Sequence, residues 1–196
     1  MDSEQQRRDL EALRKKVREM EDLLAEDDQS ENWRAGKYYT AYHILAGMML
    51  GFFGAASSLL FNVVGSVATL QYPLQLIRVY LTFPLGERAL QIESGAVIAL
   101  GCCLYLGTGA VFGSLLHLIM TRFFEAAGRW KKFIVATIIG ILLWLVNFYG
   151  FLSWAQPALF GGDWIVRLVP FWVAALTHLV FAWTVLFLGE WGRLER

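Results

Sequence analysis

The chain has 196 residues, of which 57% are hydrophobic and 15% aromatic, and its mean hydropathy is +0.47. These values are too apolar for an ordinary soluble domain of this length, so we expect an integral membrane protein in contact with a lipid bilayer. Basic and acidic residues number 17 each. No basic patch of the size needed to bind nucleic acid is present in the sequence, which excludes that class of partner.

The charges are concentrated at the N-terminus. Residues 1–36 contain 7 basic and 11 acidic residues, whereas residues 37–196 contain 10 and 6. The N-terminal segment has no apolar core of the kind found in secretion signals or membrane spans. We predict a cytoplasmic helix over residues 1–28, followed by a polar linker over residues 29–40.

Five apolar residues in this helix follow one another at intervals of 3, 4, 3 and 4 residues, which is the spacing of the a and d positions in a coiled coil. The predicted seam consists of Leu10, Leu13, Val17, Met20 and Leu24. A coil this short is marginal alone, but attachment to a membrane assembly raises its effective concentration. We expect it to mediate homo-oligomerisation, with an amphipathic helix lying on the membrane or on its own domain as the alternative.

The apolar remainder of the chain, residues 41–196, is long enough for four membrane spans. We predict the spans over about residues 41–66, 95–121, 133–155 and 168–189. The segment over about residues 72–92 contains prolines and charged residues, and its apolar stretch is too short to span, so an interfacial or re-entrant helix is expected there. The predicted fold is an all-α integral membrane protein with a four-helix transmembrane bundle.

Four spans place both termini on one side of the membrane. Lys and Arg residues near the spans number 8 on that side and 3 on the other. Because positive residues are enriched in cytoplasmic segments, we expect a multi-pass protein of the cell's inner membrane with both termini in the cytoplasm.

Small residues at four-residue spacing mark the faces on which the spans pack. Such stripes let two helix backbones approach closely within a membrane. The residues expected at these contacts are Gly47, Gly51 and Ala55 in the first span and Gly109 and Gly113 in the second.

Two pairs of similar stretches suggest an internal repeat. LFNVVG around Asn62 resembles LVNFYG around Asn147, at an offset of 85 residues, and SLLHLIM around His117 resembles ALTHLVF around His178, at an offset of 61. We therefore predict two parallel two-helix repeats related by an axis along the membrane normal.

The same four residues are the candidates for a functional site, because polar side chains inside a membrane must find partners. We predict that Asn62, Asn147, His117 and His178 form a polar hydrogen-bond network in the bundle and that the protein has no cofactor and no metal. The alternative is a cofactor site in which His117 and His178 bind haem b or a quinone.

The sequence contains no nucleophile, catalytic base or cofactor motif of a known enzyme class, so we do not expect an enzyme. We expect a non-catalytic subunit or scaffold of a larger membrane assembly, which associates with its own copies, with other membrane subunits, or with both. The alternatives are a small electron-transfer subunit and an oligomeric channel.

Overall fold

The structure is a computed structural model that describes the backbone of residues 3–194 and the side chains at positions 13, 15–17, 19–20 and 38–192. It divides into two units, Met1–Tyr42 and His43–Arg196. Every element in the described part of the chain is helical. In chain order the elements are α1 (Ser3–Ala68), α2 (Gln75–Leu85), a 3₁₀ helix (Gly86–Gln91), α3 (Gly95–Phe124), α4 (Arg129–Leu145), a π-helical segment (Val146–Leu152), α5 (Ser153–Phe160), α6 (Trp164–Leu168) and α7 (Phe171–Leu194).

In the part of the chain that the structure describes, four helical stretches are long and apolar enough to cross a membrane, as expected of a multi-pass membrane protein. Their mean hydropathy lies between 1.9 and 2.1, and each has 22 residues or more, against about 20 needed to span a bilayer. The all-helical fold with four such helices is thus confirmed. The stretches are Tyr38–Ala68, Gly95–Phe124, Arg129–Phe160 and Phe171–Gly192.

The spanning helices α4 and α7 run antiparallel. Lys132 near the start of α4 contacts Glu190 near the end of α7, and Gly140 further along α4 packs against Ala182 further back along α7. Within the second unit, residues 43–68 of α1 are likewise antiparallel to α3 and to α7. The spans therefore alternate in direction, as a bundle with short connections requires.

The helix α2 has 11 residues, a length of about 16 Å, which is half of what a bilayer core requires. Ile77 and Leu81 on one of its faces are buried against Gly101 of α3. The Tyr80 hydroxyl forms a hydrogen bond of 2.7 Å with the Thr108 hydroxyl, also on α3. The predicted short helix thus lies against the first half of α3.

In the N-terminal unit, α1 continues through residues 29–40 without interruption, so the segment predicted as a polar linker is helical. Three residues of the predicted seam have described side chains, and all three are exposed: Leu13 by 62%, Val17 by 46% and Met20 by 56%. The side chains of Leu10 and Leu24 lie outside the described part of the chain.

The packing of the spans does not show the predicted repeat. Offsets of 85 and 61 residues relate the two proposed copies. In the first copy Ala55 contacts Gly109, so an equivalent second copy would have a contact between Gly140 and Pro170. Gly140 packs instead against Ala182, which is 12 residues further along α7, or about 18 Å. The two helix pairs therefore have different registers, and the similar stretches occupy different places in them.

Candidate functional site

The helices α1 and α3 approach each other so closely that glycine is required at their contact. A Cβ atom added at Gly47 would lie 2.6 Å from the Ser114 Cα, and one added at Gly51 or Gly113 would overlap the backbone of the facing helix. The small-residue stripes of the first and second spans therefore face each other. The Ser114 hydroxyl also donates a hydrogen bond of 3.1 Å to the Ile44 carbonyl across this contact.

One helical turn beyond the glycines, this packing brings two histidines together. His43 precedes Gly47 by four residues, and His117 follows Gly113 by four, so antiparallel packing of the glycines places both imidazoles at the same level. The His43 Nδ1 lies 3.3 Å from the His117 Nε2. The ring centroids are 5.4 Å apart, and the ring planes are inclined by 38°.

Two charged residues lie at the same end of the bundle. The Lys132 Nζ donates to the Glu190 Oε1 at 2.9 Å, and the side chains are 9% and 32% exposed. Glu190 and His117 line a common cavity of about 20 Å³, which is room for about one water molecule. We name these four residues, one from each spanning helix, the polar end cluster: His43, His117, Lys132 and Glu190.

The structure does not bring His117 and His178 together. His117 Nδ1 lies 3.9 Å from the position that a Cβ would take at Gly189, and Gly189 is 11 residues beyond His178 on α7, or about 16 Å. The Nδ1 of His178 donates instead to the Ala174 carbonyl at 2.8 Å. Two axial ligands must flank a single iron, so these positions do not fit a haem held between the two histidines.

The asparagines also have separate surroundings. Asn62 is buried, and its Nδ2 donates to the Thr177 hydroxyl at 2.8 Å and to the Ser58 carbonyl at 2.7 Å. Asn147 lies in the π-helical segment and, within the described residues, forms no side-chain hydrogen bond. The four predicted residues therefore do not form one network. Four-residue spacing ceases to define a helix face where the backbone becomes π-helical, because each turn there is wider.

Sequence reasoning missed three of the functionally suggestive residues. His43 was identifiable, because it extends the stripe of Gly47 and Gly51 by one turn. Lys132 directly precedes the predicted third span, outside the bundle, but the residue is only 7% exposed. The third is Gln156, which is fully buried.

Gln156 joins three helices. Its Nε2 donates to the Thr82 hydroxyl of α2 at 2.9 Å, and its Oε1 accepts from the Ile165 backbone N–H of α6 at 3.0 Å. Its sequence context, between an alanine and a proline, gives no sign of these partners.

Within the described residues, no group of three or more His, Cys, Asp or Glu side chains is arranged to hold a metal ion. The arrangement at the polar end cluster is a pair of imidazoles beside an ion pair, with a small cavity next to His117. Comparison with models of protein families, with curated proteins and with solved structures gives no match.

Proposed function

We propose that the chain is a non-catalytic membrane subunit or scaffold that associates with further copies through its N-terminal helix. The supporting observation is the exposure of Leu13, Val17 and Met20, at 62%, 46% and 56%, in the single chain. Apolar side chains at a and d positions are stabilised when a second helix covers them. The other membrane subunits of the assembly would contact the lipid-length helices.

The interior of the bundle supports a structural role rather than a pore or an active site. The contact of Gly51 with Gly113 leaves no space between α1 and α3. Asn62, Gln156 and Lys132 each form hydrogen bonds that join separate helices. Such bonds stabilise a bundle in a membrane, at about 0.6 kcal/mol on average.

We propose the inner membrane as the location, with both termini in the cytoplasm. The support is the excess of Lys and Arg, 8 against 3, on the side of the termini. The alternating directions of the four spans are consistent with this arrangement, since each reversal returns the chain to the opposite side.

The assembly role is tested by replacing both Leu13 and Val17 with Asp. Charge at a and d positions breaks a coiled-coil seam, so we expect the purified protein to shift to a smaller oligomer. The mass is measured by light scattering with the detergent contribution subtracted.

The matched control is Lys15→Ala with Glu19→Ala, which removes an exposed ion pair of 3.9 Å on the same helix and leaves the seam intact. The control should keep the mass of the unaltered protein. An unchanged mass in the Leu13→Asp, Val17→Asp protein would refute assembly through the seam and favour a helix lying on the membrane.

A further inference from the structure

We infer that Arg78 and Tyr72 form a binding site for the phosphate group of an anionic phospholipid in the surrounding bilayer. The site lies on the short helix α2 and the connection before it, at the end of the bundle where α1 ends and α3 begins. Arg78 supplies the N–H donors, and the Tyr72 ring holds the guanidinium in place. This inference goes beyond the scaffold role and does not depend on it.

The Arg78 guanidinium lies over the ring of Tyr72, with its Cζ 3.8 Å from the ring centroid. An aromatic face attracts a guanidinium electrostatically and leaves the N–H groups at the guanidinium edge free to donate. Tyr72 is 42% exposed, so the pair lies at the surface of the bundle. The stacked pair therefore presents a positioned fork of hydrogen-bond donors to its surroundings.

Arg78 has no anionic partner within the described residues. Its Nε is buried there without a hydrogen-bond partner. The terminal nitrogens form no hydrogen bond with described residues either, and they are not among the buried unpartnered atoms, so they are accessible. Asp163 is engaged by Arg167 at 2.7 Å, and Glu87 and Glu93 are exposed. Because a partly buried cation without an anion is costly, an anion from outside the chain is favoured.

The depth of Arg78 in the membrane indicates the source of this anion. The helix α3 has 30 residues, a length of about 45 Å, which matches a bilayer with its headgroups. Ile77 packs against Gly101, which is six residues, or about 9 Å, from the start of α3. With α3 centred in the bilayer, the hydrocarbon core of about 30 Å begins near this level. Arg78 follows Ile77 directly, so it lies where hydrocarbon meets headgroups.

From this level the side chain extends toward the headgroups. Tyr72 lies in the connection between α1 and α2, and the Arg78 guanidinium reaches its ring. Basic side chains near the ends of membrane helices extend toward the interface in this way. A guanidinium binds phosphate through two parallel hydrogen bonds. An anionic headgroup fits best, because a zwitterionic one carries its own cation, which competes for the phosphate.

The first test compares headgroups and needs no variant. The purified full-length chain is kept in a detergent with an uncharged headgroup and titrated with dioleoyl phosphatidylglycerol. Native mass spectrometry should show saturable binding, and the melting temperature should rise. Dioleoylglycerol, which has the same acyl chains without phosphate, should leave the melting temperature unchanged, as should inorganic phosphate, which has no acyl chains. An equal rise with either compound would overturn the assignment to a phospholipid.

The second test removes each half of the stacked pair. Arg78→Gln should weaken binding of the first phosphatidylglycerol about tenfold, because hydrogen bonds between charged groups are lost. Tyr72→Leu keeps the cation and removes the aromatic face, so it should weaken the same binding about threefold.

The matched control is Arg167→Gln, which removes the same charge at the same end of the bundle, from a guanidinium engaged by Asp163. It should keep the phosphatidylglycerol affinity of the unaltered protein. Equal weakening in Arg167→Gln and Arg78→Gln would show a general attraction between charges and overturn the site. Unchanged affinity in Arg78→Gln would also overturn it and would favour a carboxylate of another subunit as the partner of Arg78.

Discussion

Replacement of Gly113 by Leu is expected to abolish the folded bundle or to lower its melting temperature severely. A Cβ at this position would overlap the Cα and the backbone nitrogen of Gly51 on the facing helix. Overpacking costs about 1 to 3 kcal/mol where side chains can move. Here the added side chain meets the backbone of the facing helix, which cannot move aside, so α1 and α3 must separate. We expect the free energy of unfolding to fall by more than about 3 kcal/mol. Circular dichroism melting in a mild detergent measures the effect.

Gly107→Leu is the matched control, because it places the same side chain on the same helix. No atom lies within 4 Å of the position that a Cβ would take at Gly107, so this variant should melt like the unaltered protein. Equal melting temperatures for Gly113→Leu and Gly107→Leu would contradict the close packing of α1 and α3.

Replacement of Lys132 by Met is expected to have the second largest effect. The Lys132 side chain is 9% exposed and its ion pair with Glu190 measures 2.9 Å, so the substitution removes this ion pair from a largely buried position. Breaking a fully buried pair costs about 3 to 5 kcal/mol. The Glu190 side chain is 32% exposed, so solvent weakens the effect, and we expect the free energy of unfolding to fall by about 2 kcal/mol. Unfolding by SDS in mixed micelles measures it.

Two further variants test whether the loss of stability comes from the ion pair itself or from any substitution at this end of α4. Lys131→Met changes the exposed neighbouring lysine and should leave stability unchanged. Lys132→Met combined with Glu190→Leu removes both charges and should recover most of the loss, because an apolar pair carries no charge that must be kept out of water. A double variant as unstable as Lys132→Met alone would show that the ion pair is not the cause.

The four spans could be predicted from sequence because the length and hydropathy of a membrane helix are local properties. The ends were predicted less well. The third stretch runs to Phe160, five residues beyond the predicted end, because α5 follows the π-helical segment directly. Proline did not end this helix, although Pro157 lies within it.

The candidate site could be predicted only in part, because it depends on which helices face each other. The stripes of Gly47 and Gly113 were readable from their spacing, but their antiparallel pairing, and hence the meeting of His43 with His117, is a non-local property. The similarity between the segments around His117 and His178 was a poor guide, since membrane helices use few residue types and short resemblances arise easily.

Labelling of introduced cysteines tests the four-span topology most directly, because each span reverses the side on which the following loop lies. Cys102 and Cys103 are free thiols, and both are first replaced by Ala. We predict that a membrane-impermeant maleimide labels Arg167→Cys in intact cells and labels Arg129→Cys only after the membrane is permeabilised. Labelling of Arg129→Cys from outside intact cells would contradict the arrangement of spans and the cytoplasmic position of the termini.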